Sequence, residues 1–221
     1  MRICLFVWLA IASLSTPLLA QSTTSKPASA TRLYKFPERA AFTVDFGGKV
    51  QPGQPTTPGA KKRKTLVKAE ITTTEKMRRI VNIWDDGSTT EDWRFDNYRL
   101  IEHPSGKWIN LVNVAKSSYG GSLNYDASDF AWISIQNRAG EASYKGRPCL
   151  RFELAAEAGA AQPQTQTREA VIDEQTLLPV ILRQGDTLAT FTFRQAPQGE
   201  LQLPPRFDQR WKEFLKSRQS R

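Results

Sequence analysis

Few residues in this chain could carry proton or metal chemistry. His103 is the only histidine, and there are two cysteines, Cys4 and Cys149. One imidazole cannot build a two-histidine zinc site, and the thiols do not form a CxxC redox pair. Asp85-Asp86 and Glu91-Asp92 bring carboxylates together, the residue types of a glycosidase. Neighbours on a strand point to opposite faces, however, and Asp85-Asp86-Gly87-Ser88 between two extended runs reads as a hairpin turn. His103 precedes Pro104 in a second turn, His103-Pro104-Ser105-Gly106. No catalytic residue, metal site or cofactor is nominated, and the chain reads as a non-enzyme.

Residue types suited to binding are better represented. Lys61-Lys62-Arg63-Lys64 is a run of four cations in a chain with 31 Lys+Arg against 22 Asp+Glu, a formal charge of +9. Such a run could dock on an anionic membrane surface or another polyanion, or could simply be a solvated loop. Trp84, Trp93, Trp108 and Trp132 are candidates to line an apolar cavity, since an indole buries much area at low rotamer cost; the competing role is ordinary core.

The first 20 residues decide where this chemistry would operate. Arg2 precedes the apolar run 3–12, followed by Ser13, Ser15, Pro17 and Ala20, the pattern of a secretory signal peptide. The run falls short of the roughly 20 residues of a spanning helix. Gln21 stands where a bacterial lipoprotein would need cysteine. The expectation is a soluble, periplasmic, monomeric protein without a lipid anchor, for which nucleic acid is not a partner. Cleavage would remove Cys4 and leave Cys149 as a lone thiol, read as a small buried residue on a strand.

Residues 21–35 are small and polar and read as a disordered tether; a single domain is expected over 36–221. In 41–46, Phe42, Val44 and Phe46 alternate as on one face of a strand. The stretches 65–74, 77–84, 89–102, 107–114, 141–145, 148–154, 168–172, 177–183 and 187–194 are further strand candidates. Pro/Gly-rich 51–64 and Ala/Gln-rich 155–167 read as exposed loops. Asp126-Ala127-Ser128-Asp129 offers N-cap candidates for a short helical turn carrying Phe130, Ala131 and Trp132. After Pro204-Pro205, the residues Phe207, Trp211, Phe214 and Leu215 form one helical stripe. The pattern predicts an α+β fold, mostly antiparallel β, with roughly eight or nine strands in one sheet covered by a C-terminal helix.

One segment resembles something known. The strand entered through Tyr144-Lys145-Gly146-Arg147-Pro148-Cys149, with Asn124–Trp132 upstream and Val171-Ile172-Asp173-Glu174-Gln175-Thr176 downstream, is similar to exported outer-membrane lipoprotein-sorting proteins of the LolA/LolB/RseB-like superfamily. The resemblance covers about residues 120–207 in register. It implies a curved, half-barrel-like antiparallel sheet around an apolar cavity, and a non-catalytic carrier or sensor of hydrophobic or amphiphilic envelope ligands such as lipid or lipoprotein acyl chains. Residues 21–40 lack the helix usual before the family's first strand, and 51–64 resembles an insertion.

Overall fold

The computed structural model describes residues 33–47, 64–103, 105–114, 123–155 and 167–219. Eleven strands form a single antiparallel sheet: β1 (Ala40–Phe46), β2 (Leu66–Thr73), β3 (Met77–Trp84), β4 (Thr89–Phe95), β5 (Tyr98–Glu102), β6 (Ile109–Asn113), β7 (Arg138–Tyr144), β8 (Arg147–Leu154), β9 (Arg168–Asp173), β10 (Pro179–Gln184) and β11 (Thr187–Arg194). Their spatial order is β6-β5-β4-β3-β2-β1-β11-β10-β9-β8-β7. The chain therefore starts at the centre, meanders to one edge, crosses to the other edge and meanders back until β11 pairs with β1. The sheet is open, with β6 and β7 at its two edges. The helix α1 (Pro205–Gln219) follows. The sheet has more strands than the eight or nine expected. Asp96-Asn97 divides 89–102 into two strands, and Asp96 takes φ 48°, a conformation a short Asp/Asn turn tolerates.

Register sorts the side chains onto two faces. On the first, Phe42 stands opposite Ile71 and Phe193, and Ile71 opposite Ile80. This face carries the main core, which includes Val44, Phe152, Ile172, Leu182 and Phe191. Its cover is the crossover between β6 and β7, through buried Tyr125, Phe130 and Ile133, together with Leu33, Tyr34 and Phe36. The Lys35 N–H donates to the Leu177 carbonyl at 2.7 Å, so packing begins at the end of the stretch read as a tether. Two short 3₁₀ turns, Ala127–Phe130 and Ile135–Asn137, shape the crossover, and the Asp126 carboxylate caps the first by accepting from the Ser128 N–H.

The helix lies elsewhere. Trp93, Phe95 and Leu100 sit on the second face of β4 and β5, where buried Phe207 and half-buried Trp211 of α1 meet them. The terminal helix is thus the cover of a smaller, separate cluster, and the main apolar face is covered by the crossover. Burying Phe207 and Trp211 satisfies the predicted helical stripe because each large side chain removed from water contributes roughly 1.5–3 kcal/mol. A third cluster on the second face, Cys149 with Val171 and Val180, buries the one described thiol at 1% exposure.

Candidate functional site

A cavity of about 620 Å³ opens at the ends of β7–β10; Gln136, Arg138, Leu154, Arg168, Glu169 and Arg183 are among its walls. Backbone register explains how the walls come together. Along β7, Glu141 stands opposite Leu150 and Gly140 opposite Arg151, but the next pair is Arg138 with Phe152. A β-bulge has inserted one residue. Regular alternation would put residue 138 on the same face as Gly140; the bulge moves Arg138 to the core face beside Phe152. Gly140 has φ 137°, a region few side chains tolerate, and a Cβ there would meet no atom within 4 Å, so its constraint is backbone conformation rather than space. Arg168 pairs with Leu154 in the adjoining strands. Two guanidinium groups therefore flank Leu154 on the face whose next row is the fully buried Phe152.

The charges at this mouth are unevenly paired. Arg183 Nε meets Glu169 Oε2 at 3.2 Å, and Glu153 faces Arg151 at 3.4 Å. The side chains of Arg138 and Arg168 have no hydrogen-bond or ion-pair partner among the described residues. Every other described arginine either lies within 4 Å of a carboxylate or, at Arg218, donates to the Tyr98 hydroxyl.

A second cavity, about 490 Å³, is lined by Phe36, Glu38, Thr73, Glu75, Arg78 and Asp126, among others. It adjoins a charged row on the first face where Arg78, Arg94 and Arg99 stand directly opposite one another on β3, β4 and β5. Like charges in that register repel. They are offset by Asp92, 1% exposed, whose Oδ2 accepts from Arg99 Nε at 2.7 Å, and by Asp126, which accepts from Arg78 at 2.9 Å. The Asn124 carbonyl accepts from both Arg78 and Arg94, at 2.9 and 3.1 Å. Burial pushes the Arg94 guanidinium below its ordinary value, with Asp92 opposing. Burial raises the Asp126 carboxyl, but the Ser128 hydroxyl and Arg78 outweigh it and hold it below the usual carboxylate range. Asp129 goes the other way: burial raises it although the Asn124 and Tyr125 N–H groups bond to it. Each guanidinium of the row is already engaged, and the row's evident work is to clamp the crossover to the sheet.

The carboxylate pairs of the sequence are likewise engaged. Asp86 Oδ2 meets Lys64 at 2.7 Å, and Asp85 accepts from the Thr65 N–H at 3.2 Å in the β3–β4 turn. Glu91 binds Arg79 and the Trp93 indole, while Asp92 faces the opposite side. His103 lies in the β5–β6 turn, its ring stacked 3.9 Å from that of Trp108. No group of three metal-ligating side chains occurs among the described residues.

The four tryptophans do not gather. Trp93 is in the cluster under α1, and Trp132 packs against the main core. Trp108 is half exposed, and Trp84 bonds the Thr90 hydroxyl through its indole at 3.1 Å. None of them lines either cavity. Of the basic run, Lys64 is paired with Asp86, while Lys61, Lys62 and Arg63 lie outside the described residues, as do residues 1–20 and the interiors of both predicted loops. Sequence reading missed Arg138 and Arg168. The available signal is Gly140, which within a strand marks a bulge, but it lies one residue before the strand predicted over 141–145.

No family model matches the sequence, and no curated protein matches it. Among solved structures it is similar to the crystal structure of Mycobacterium tuberculosis lipoprotein LppX, at 12% identity, with 74% of this chain and 88% of that chain covered and a TM-score of 0.40.

Proposed function

We propose that this chain is an exported, periplasmic, non-catalytic carrier or sensor that holds a hydrophobic or amphiphilic envelope ligand, a lipid or lipoprotein acyl chain. The observation that carries the reading is the cavity of about 620 Å³ whose apolar wall at Leu154 stands one row from the main core. That volume is in the range of small-ligand sites, ~300–1,000 Å³. The leader pattern of residues 1–20 supports export, and the resemblance read around Tyr144–Leu154 supports the ligand class. Peripheral contact with an anionic membrane through Lys61, Lys62, Arg63 and Lys64 would bring the carrier to its source, although Lys64 already has Asp86 as partner. The working unit is the monomer, with no nucleic acid partner.

The test is native mass spectrometry of the exported protein purified without detergent, followed by organic extraction. A bound lipid or acylated mass is expected. A clean unliganded mass that added lipids do not move would overturn the carrier reading and favour a structural or polyanion-binding envelope protein.

A further inference from the structure

We infer that the cavity at the ends of β7–β10 selects amphiphiles with an anionic head, carboxylate or phosphate, and that Arg138 and Arg168 bind that head. The inference rests on the carrier reading above and adds the polar half of the ligand.

Three observations converge on it. The cavity has an apolar wall, Leu154 with Ala139 and Ala155, and Leu154 is neighbour to the row containing Phe152. A chain inserted there meets hydrocarbon. At the same wall, Arg138 and Arg168 lack a counter-charge among the described residues, in a protein whose other described arginines are each matched to an acceptor. The two acids among the cavity walls already face other arginines, Glu169 facing Arg183 and Glu153 facing Arg151. Finally, Arg138 is on this face only through the bulge at Gly140, a backbone feature that regular pairing would not produce. A planar guanidinium offers paired N–H donors that match a carboxylate or phosphate, and two of them flanking an apolar entry recognise a head and a tail together.

The full chain as exported, with its leader removed, would be delipidated and titrated calorimetrically. The probes are sodium dodecanoate, dodecyl phosphate, the neutral dodecyl maltoside, and inorganic phosphate. Both charged amphiphiles should bind at least ten-fold more tightly than the maltoside, and inorganic phosphate should bind far more weakly than dodecyl phosphate. R138Q and R168Q should each weaken dodecyl phosphate about ten-fold and weaken the maltoside at most about two-fold. A cooperative thermal unfolding transition within a few degrees of the parent's shows that the variants are folded.

Equal affinity for charged and neutral amphiphiles, or charged binding indifferent to the R138Q/R168Q double variant, would overturn the anionic-head inference while leaving the carrier reading standing. Binding of no amphiphile at all would defeat both. Inorganic phosphate binding as tightly as dodecyl phosphate would also overturn the inference, since it would show an anion site without a tail.

Discussion

At the scale of single residues, the strongest constraint is Asp92, because its carboxylate faces both Arg94 and Arg99 and is 1% exposed. D92A leaves two half-buried guanidinium groups side by side with no opposing charge from β4. Removing one member of a buried ion pair costs about 3–5 kcal/mol, and a urea midpoint shift of that size is expected. Adding Arg99→Met to D92A should recover part of the loss, whereas no recovery would show that Asp92 acts by some means other than charge balance. Gly140 makes a different demand, since φ 137° excludes a Cβ on conformational grounds. G140A should destabilise by about 1 kcal/mol and weaken dodecyl phosphate binding, as the bulge that presents Arg138 is lost. Some roles at this scale were legible. Cys149, read as a small buried residue on a strand, is 1% exposed, and Asp126, one of the candidate N-caps, accepts from the Ser128 N–H. The face of Arg138 depends on one inserted residue, which period-2 counting cannot see and which Gly140 alone marks in the sequence.

At the scale of elements, patterns that close locally were read well and long-range partners were not. The stripe Phe207, Trp211, Phe214 announced α1, but nothing in it says which apolar surface it covers, and it meets Trp93 and Phe95 rather than the Phe42 face. F207A should cost about 3–5 kcal/mol, since Phe207 is fully buried, and calorimetric unfolding measures it. Loss below about 1 kcal/mol would mean the helix is peripheral. The crossover is held by charge as well as by apolar packing, which makes its attachment depend on pH. Burial raises the Asp126 carboxyl, yet Ser128 and Arg78 leave it below its ordinary value, so between the folded and unfolded values the unfolded chain binds more protons. Its stabilisation is present above about pH 4, the unfolded value, and lost as pH falls through the folded one. Glu91, lowered by Arg79 and the Trp93 indole against burial, acts in the same sense. R78Q should therefore flatten the acid limb of a plot of Tm against pH, while an unaltered limb would show that Arg78 does not set the Asp126 titration.

At the scale of the whole molecule, the sheet has its earliest and latest strands at its centre. Hairpin turns such as Asp85-Asp86-Gly87 and Asp173-Glu174-Gln175 make each meander readable, but the passage from β6 to β7 carries the chain across the full sheet, and its path is set by long-range contacts, the packing of Tyr125, Phe130 and Ile133 on the first face and the Arg78 bonds to Asn124 and Asp126. The consequence is thermodynamic. Every residue of β1 and β11 is in register with at least one neighbouring strand, and their first face is covered by the crossover. The outer side of β6 and of β7 has no partner strand among the described residues, and β7 is interrupted by its bulge. Edge strands can open without disturbing the β1–β11 pair, whereas opening that pair divides the sheet in two. Native-state hydrogen exchange should accordingly be slowest at Phe42, Val44 and Phe191, with opening free energies at the global value, and should quicken stepwise toward β6 and β7. Protection in β7 equal to that in β1 would mean that the edge is covered in solution. The same experiment with dodecyl phosphate then separates two effects, because a ligand seated on Arg138 and Arg168 should slow exchange in β7–β9 and leave β6 at the other edge unchanged.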